Sequence, residues 1–247
     1  MLTFARHTVL VVFLTLLTQL GGIAWLIALC FKRRLLVFVL SYILLSVSAL
    51  FLAPQFGREP ISCFSSGTYR MKSAFFCAAN RQYVTPELKA VLSDVSSSMS
   101  AKFPDTTLLI LDANFPFISG FPLLPHLSHS DGRKVDIAFF YQENNRFLPN
   151  VTKSPIGYFA FEKGPTDCQD RALTLRWDLA WLQRFWPEYH LEPKRMSTAL
   201  KLLSNNARVG KVFLEPHLKS RFNLHGSKIR FQGCRAARHD DHIHIQL

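Results

Sequence analysis

Acidic residues are missing from the first 54 residues of this 247-residue chain and are scarce in the rest. The chain has 17 aspartates and glutamates against 29 lysines and arginines, which gives a formal net charge of +12. Only 19% of its residues are charged while 49% are hydrophobic, and the mean hydropathy is +0.11. This combination excludes a disordered basic tail and is unusual for a soluble domain, so apolar residues must be concentrated in one part of the chain.

Several patterns typical of particular protein classes are also missing. No run of five or six cations occurs, so we expect most basic residues to form a mixed, solvated surface. No C-x2-C pair is present, which disfavours a four-cysteine zinc site. Without a glycine-rich phosphate loop or a clustered aromatic and basic face, a nucleic-acid partner is not expected.

The apolar excess lies at the N-terminus. Residues 8–31 contain no charged side chain, and residues 35–54 form a second uncharged run. Each is long enough to cross a hydrocarbon core of about 30 Å as a helix. A signal peptide has a shorter apolar region of about 7 to 15 residues, and a hairpin buried in a globular core is the less favoured alternative. The sequence therefore predicts a two-helix transmembrane hairpin over residues 1–54.

The cations around these runs predict the orientation of the hairpin. Lys32, Arg33 and Arg34 separate the two runs, whereas Arg6 alone precedes the first and Arg58 closely follows the second. Because cytoplasmic loops are enriched in lysine and arginine, the loop is expected in the cytoplasm and both ends across the membrane. The predicted location is thus the bacterial inner membrane, as a multi-pass protein whose C-terminal domain faces the periplasm or exterior.

The cysteines are consistent with export. Four of the five lie outside the apolar runs, at Cys63, Cys77, Cys168 and Cys234. An even number in an oxidising compartment favours two disulfides, with three possible connectivities. Of these we favour the local pairing of Cys63 with Cys77.

The rest of the chain predicts an α+β domain. Residues 55–82 are interpreted as a linker and domain edge, and residues 83–247 as the domain itself, with +8 net charge beyond residue 54. Thr85-Pro86-Glu87 is a helix start, with apolar residues at helical spacing to Phe103. Further helices are predicted over 171–186 and 196–205, and strands over 107–111, 135–141, 209–214, 229–232 and from Asp241 to the C-terminus. Without a regular βαβ rhythm, we expect a small, largely antiparallel sheet with flanking helices.

Five of the nine histidines fall in two short windows. His126 and His129 precede Asp136, which begins a predicted strand, and His239 precedes the H-x-H pair His242 and His244. Residues i and i+2 of a strand project from the same face, roughly 7 Å apart. Two histidines, one carboxylate and a water form a zinc site of the catalytic type, so the two windows together predict a metal site, although each pattern alone is weak.

The windows SHSDGRKVDI and HDDHIHIQ resemble the LAS metallopeptidases, a group that includes lysostaphin, D-Ala-D-Ala peptidases and Hedgehog domains. Their pattern is H-x6-D followed much later by H-x-H, and the chain is most similar to the penicillin-insensitive murein endopeptidases. The resemblance covers about Tyr83 to Leu247 and implies the LAS/Hedgehog-like fold. It departs at Ala236-Ala237-Arg238, where the family has an aromatic-glycine pair.

The resemblance implies a role for each candidate residue. His129, Asp136 and His244 would bind Zn²⁺, and His242 would be the catalytic histidine that polarises water or stabilises the oxyanion. His126 and His239 would line the site. Apart from the resemblance, Asp240 is a further candidate for the lining, as a partner that orients a ring, although Asp240 and Asp241 could instead form a solvated acidic turn. No glutamate lies two or three residues before H-x-H, so the general base must be His242 or a more distant residue.

These features predict a membrane-anchored zinc peptidase that hydrolyses amide bonds in peptidoglycan cross-link peptides, with the membrane bound through residues 8–54. Two other functions stay open at this point. One is a non-catalytic, zinc-stabilised cell-wall binding module, and the less favoured one is a metal-dependent nuclease. Trp177, Trp181 and Trp186, which recur near helical spacing, are expected to pack in a core or near the membrane.

Overall fold

The computed structural model describes residues 2–168 and 174–247 of the chain. In these ranges the helices are α1 (Leu2–Thr18), α2 (Gly21–Leu29), α3 (Arg34–Leu52), α4 (Ala74–Ala78), α5 (Pro86–Lys102), α6 (Ala180–Gln183), α7 (Pro193–Asn205) and α8 (Pro216–Arg221). The strands are β1 (Glu59–Pro60), β2 (Tyr69–Met71), β3 (Tyr83–Val84), β4 (Leu108–Asp112), β5 (Lys134–Ala138), β6 (Tyr141–Glu143), β7 (Arg146–Phe147), β8 (His190–Leu191), β9 (Lys211–Phe213), β10 (Ile229–Arg230) and β11 (His242–Gln246). The chain is therefore mixed α and β, as predicted.

The chain divides into two compact units, which are described separately. The first unit comprises Met1–Cys63, Ala74–Lys89 and Asp112–Lys134. The second unit comprises Phe64–Ser73, Ala90–Leu111 and Val135–Leu247. The domain boundaries drawn from the sequence stay predictions.

The first apolar run does not form one long helix, contrary to the prediction for residues 8–31. It breaks at Gln19, whose φ of 65° lies in the left-handed region, and at Leu20, so that α1 and α2 are separate helices. The two pack closely, because a Cβ on Gly22 would lie 1.9 Å from Thr15 Oγ1. Glycine is required at this crossing, and the pair Gly21-Gly22 was a local sign of the break in the apolar run.

Contacts along these helices show that α2 runs antiparallel to both of its neighbours. Trp25, late in α2, contacts His7 of α1 and packs edge-on against Phe38 of α3, with ring centroids 5.5 Å apart. Leu20, before α2, shares a buried cluster with Ala49 of α3. The N-terminal part is thus three helices rather than a two-helix hairpin, and α1 runs in the same direction as α3.

One segment among the described residues, Arg34–Phe56, is long and apolar enough to cross a membrane by length and composition. It contains α3 and the short 3-10 turn Ala53–Phe56. The apolar helix Phe4–Thr18 is shorter, and α2 has nine residues. At 1.5 Å per residue, α2 would span about 13 Å, less than half of a bilayer core of about 30 Å.

The rest of the first unit is small. Strands β1 and β3 pair antiparallel, and the disulfide between Cys63 and Cys77 confirms the local pairing favoured from the sequence. Asn80 donates hydrogen bonds to Tyr42 and Ser46 of α3, which joins this part of the unit to the apolar helix.

A six-stranded sheet organises the second unit, in the order β10-β9-β11-β5-β4-β2. Strands β10 and β9 are parallel, β9 and β11 are antiparallel, and β2 and β4 are parallel. The sheet is therefore mixed rather than largely antiparallel, because the pairs at both of its edges are parallel, and one of these pairs includes β2 from the predicted linker. A separate antiparallel sheet has the order β7-β6-β8, and a second disulfide joins Cys168 and Cys234.

Several predicted elements are confirmed in place: α5, α7, β4, β9, β10 and β11. The predicted strand 135–141 is broken into β5 and β6 after Ala138. The predicted helix 171–186 is wrong over 174–186, where the structure has the four-residue helix α6, and residues 171–173 lie outside the described residues. Trp177 and Trp181 are 56% and 61% exposed, so they do not pack in a core.

Candidate metal centre

Strand β11 brings the H-x-H pair into the interior of the second unit. His242 and His244 are 4% and 3% exposed, and His239, three residues earlier in sequence than His242, is 4% exposed. One ring nitrogen from each of the three lies within 4.8 Å of the others. The rings converge more closely than the spacing of about 7 Å along a strand suggests, because side chains can lean toward one another. These three histidines can hold a metal ion.

Asp136 of β5 joins this histidine group. Its Oδ1 lies 2.7 Å from His244 Nδ1 and 3.5 Å from His242 Nε2. Its Oδ2 accepts a hydrogen bond of 2.7 Å from the Tyr158 hydroxyl. Strands β5 and β11 are neighbours in the sheet, which explains how residues 108 positions apart meet. The structure therefore unites the predicted residues Asp136, His242 and His244 in one buried cluster.

His242 is held between two carboxylates. Its Nδ1 lies 2.5 Å from Asp241 Oδ1, and its Nε2 faces Asp136. Burial alone would lower the pKa of His242, but the negative charges of Asp136 and Asp241 raise it to about 9. In the metal-free protein His242 is therefore a cation at neutral pH, with its Nε2 proton directed at the cluster.

The residues around the cluster fix its orientation. The other oxygen of Asp241 accepts a 2.6 Å hydrogen bond from the backbone N–H of Phe159, so both sides of this carboxylate are engaged. The backbone N–H of His239 donates to Glu215, which is held in turn by a two-pronged ion pair with Arg176. These buried contacts resemble the outer hydrogen bonds that position ligands in metal proteins.

The described hydrogen bonds of the Asp240 side chain lead to Arg238 and not to a histidine ring. Both of its carboxylate oxygens face Arg238, at 3.0 Å and 2.5 Å. Burial raises the pKa of Asp240 to about 6, and the Arg238 guanidinium opposes that rise. Its place is thus beside the cluster, where its backbone carbonyl also accepts from the N–H of Glu162.

The other two predicted histidines belong to the first unit. His129 is 1% exposed, and its Nδ1 lies 2.9 Å from the Ala113 carbonyl oxygen. A carbonyl only accepts, so Nδ1 carries the proton and Nε2 carries the lone pair that can bind a metal. His126 lies beside it, with ring centroids 5.3 Å apart.

Asp112, at the end of β4, is a residue of the first unit that sequence reasoning did not select. It is fully buried, lies 2.9 Å from His126 Nδ1, and is bonded through both oxygens by the Arg81 guanidinium. Burial would raise the pKa of Asp112, but Arg81 and His126 lower it below its usual value. The ligand atoms of Asp112, His126 and His129 lie within 4.8 Å of one another. The guanidinium cannot lose its charge, so Asp112 is already neutralised.

The donor set of the second-unit cluster suits zinc. Imidazole nitrogen and carboxylate oxygen are both zinc ligands, at about 2.0 to 2.2 Å. At tetrahedral angles such bonds place two ligand atoms about 3.3 Å apart. The 2.7 Å between Asp136 Oδ1 and His244 Nδ1 is a hydrogen-bond distance, shorter than this separation, so these two atoms would move apart to bind one ion. Buried histidine and aspartate groups could thus hold a metal ion, and the identity of that metal is a matter for the proposal below.

Sequence reasoning missed Tyr158, Asp241 as a partner of His242, and the pair Glu215 and Arg176. Tyr158 lies 22 residues from Asp136 in a segment with no recognisable pattern, so no local signal could have identified it. Asp241 could have been selected from the sequence, because it directly precedes the H-x-H pair. Neither the protein-family models nor the curated proteins compared with this chain include a match to it.

Proposed function

We propose that this protein is a membrane-anchored zinc peptidase of the LAS type that hydrolyses amide bonds in peptidoglycan cross-link peptides. The observation that carries the proposal is the buried cluster of Asp136, His242 and His244, in which a ring nitrogen of each histidine faces the same carboxylate oxygen. Asp136 and His244 of the second unit would hold the metal, and the role of His129 of the first unit as a third ligand stays a prediction from the resemblance.

When bound, zinc supplies Lewis acidity for amide hydrolysis and lowers the pKa of a water molecule. The contribution of the protein is to place a cation where negative charge develops. His242 would supply this cation through Nε2, with Asp241 orienting the ring through Nδ1. A cation fixed in a buried site stabilises an oxyanion with little reorganisation, which is the largest contribution in many acyl-transfer enzymes. The Tyr158 ring packs edge-on against the His242 ring, and the Tyr158 hydroxyl holds the Asp136 carboxylate beside it.

The proposed location is the bacterial inner membrane, with the C-terminal part in the periplasm. Two disulfides, Cys63 to Cys77 and Cys168 to Cys234, support an oxidising compartment for everything after α3. Lys32 and Arg33 precede α3 and Arg34 is its first residue, which supports a cytoplasmic location for the N-terminal end of α3. Because α1 runs in the same direction as α3, Arg6 would lie on the cytoplasmic side with them, which revises the outward N-terminus expected from the sequence.

The test uses the full chain in detergent micelles, loaded with zinc and incubated with purified cross-linked muropeptides. We expect cross-linked dimers to convert to monomers, as measured by chromatography and mass spectrometry. Asp136→Asn should abolish the conversion, whereas His225→Ala, an exposed histidine bonded to Asn223, should retain it. Unchanged dimers with the zinc-loaded protein, or full activity of the Asp136 variant, would reject the proposal.

A non-catalytic zinc-stabilised module is the second candidate, because His239 lies within ligand distance of His242 and His244. If His239 fills the fourth zinc position, no position stays open for water. The discriminating variant is His239→Ala. A loss of zinc affinity of 100-fold or more, with no hydrolysis by the parent protein, favours the closed module; hydrolysis by the parent favours the enzyme.

A further inference from the structure

A cleft of about 550 Å³ opens in the second unit, away from any residue assigned a role above. One wall is the segment from Phe161 to Lys163, and the other is the segment from Gln183 to His190. Trp186 and Tyr189 contribute aromatic surface, and Arg221 also lines the cleft. The volume lies within the range of small-ligand pockets, about 300 to 1,000 Å³.

The charge of the cleft is positive. Its lining contains Lys153, Lys163, Arg184 and Arg221 against Glu162 and Glu188. Glu162 is 7% exposed and pairs with both Lys153 and Arg221. The ion pair between Arg221 and Glu162 is long, at 3.4 Å, and the side chains of Lys163 and Arg184 are exposed. The cleft therefore presents several cations to a ligand, and it suits a carboxylate that has some apolar or flat surface.

The same wall is bonded to the histidine cluster. The Phe159 N–H donates to Asp241, the partner of His242, while the Phe159 carbonyl accepts from Trp186 Nε1 at 2.8 Å. Glu162 donates its N–H to the carbonyl of Asp240 at 2.7 Å. Phe161 and Glu162, which line the cleft, are thus joined through Phe159 to Asp241, the partner of His242.

We propose that this cleft binds the free carboxylate end of the peptide substrate, with Lys163 and Arg184 as the anion-recognising residues and Trp186 and Tyr189 as the packing surface. The inference rests on the proposed function, since it names the part of the wall peptide that the protein recognises. The four cations of the lining exceed its two glutamates by only two charges, which suits a carboxylate better than a polyphosphate chain, so a nucleic acid is the competing ligand in the test and not the proposal.

Binding is measured apart from hydrolysis, with the full chain in micelles and zinc removed by chelation. The probe is a disaccharide tetrapeptide, compared with the same compound after amidation of its carboxylates. We expect amidation, or the double variant Lys163→Gln with Arg184→Gln, to weaken binding by about tenfold or more, because hydrogen bonds between charged groups are lost. The matched control, Lys201→Gln with Arg146→Gln, removes the same charge from exposed positions and should leave the affinity unchanged.

The outcomes separate this inference from the function. If muropeptides are hydrolysed and the double variant leaves both Kd and KM unchanged, the cleft assignment is wrong and the peptidase remains. If the amidated and free probes bind equally, the carboxylate assignment is wrong. If the probe binds as expected but nothing is hydrolysed, the cleft stands and the peptidase fails. Tighter binding of a single-stranded oligonucleotide than of the probe, lost in the same double variant, would also overturn the inference.

Discussion

Two buried aspartates, Asp112 in the first unit and Asp136 in the second, have different partners. Each is at most 1% exposed, and each contacts a histidine ring. Asp112 is bonded by Arg81 through both oxygens, and a guanidinium keeps its charge at every accessible pH. Asp136 is bonded by histidines and a tyrosine hydroxyl, and a histidine can exchange its proton for a metal. The comparison suggests that the partner, more than burial or the carboxylate itself, separates a structural site from a candidate metal site.

The largest expected effect is on the stability of the fold and concerns Asp112. Asp112→Ala leaves Arg81 charged and buried without its partner, so we expect the free energy of unfolding to fall by about 3 to 5 kcal/mol. Denaturant unfolding of the full chain in micelles measures it. In the double variant Asp112→Leu with Arg81→Met most of the loss should be recovered, since no charge is then buried. If the free energy of unfolding of the single variant falls by less than about 1 kcal/mol, Asp112 does not have this structural role.

The two aspartate clusters should respond to opposite ends of the pH scale in zinc-free protein. The pKa of His242 is raised to about 9 from an unfolded value near 6.5, so its contribution is complete below about pH 6.5 and is lost as the pH rises through 9. The contribution is on the order of 3 kcal/mol. The pKa of Asp112 is lowered, so its contribution is present above about pH 4 and is lost as the pH falls.

Unfolding measured between pH 3 and pH 10 tests both signs. His242→Gln should flatten the alkaline side, and Asp112→Asn should flatten the acidic side. If His242→Gln leaves the alkaline side unchanged, His242 is not held as a cation by its carboxylates.

Zinc affinity should distinguish the two carboxylates directly. Asp136→Asn removes a proposed ligand, and we expect the affinity to fall by at least about 100-fold, more than the loss of an outer partner. Asp112→Asn is the matched change and should keep the affinity within about threefold. Metal content by mass spectrometry and competition with a zinc-binding dye provide the measurement. Equal losses in both variants would mean that the comparison between the sites is mistaken.

The smallest effect concerns Tyr158, whose hydroxyl orients Asp136. Tyr158→Phe removes one hydrogen bond and keeps the ring that packs edge-on against His242, with centroids 5.1 Å apart. We expect zinc affinity to fall by about tenfold, as is typical for outer-shell partners. Tyr69→Phe, on β2, should show no change. If the two tyrosine variants behave alike, Tyr158 does not position Asp136.

Local patterns predicted the elements that depend on neighbouring residues. The Thr85-Pro86-Glu87 start of α5, the strand β11 and the disulfide from Cys63 to Cys77 are all confirmed. The helix predicted over 174–186 failed because tryptophan spacing alone does not distinguish a helix from the exposed, largely non-helical segment observed there. The pair Gly21-Gly22 marked the break after Gln19, but the packing of α2 against α1 could not be predicted, because the tight approach of Gly22 to Thr15 is a contact between helices and not a local preference.

The sequence by itself determined the apolar N-terminus, the basic excess, the α+β class and the candidate residues Asp136, His242 and His244, because composition and short spacings are local properties. Only the tertiary structure decided that α1 folds back onto α2, that the main sheet is mixed, and that Tyr158 and Asp241 hold the cluster while Arg81 neutralises Asp112. Those outcomes depend on residues far apart in the chain meeting in a buried site, where unpaired charges are costly and the identity of each partner determines the chemistry.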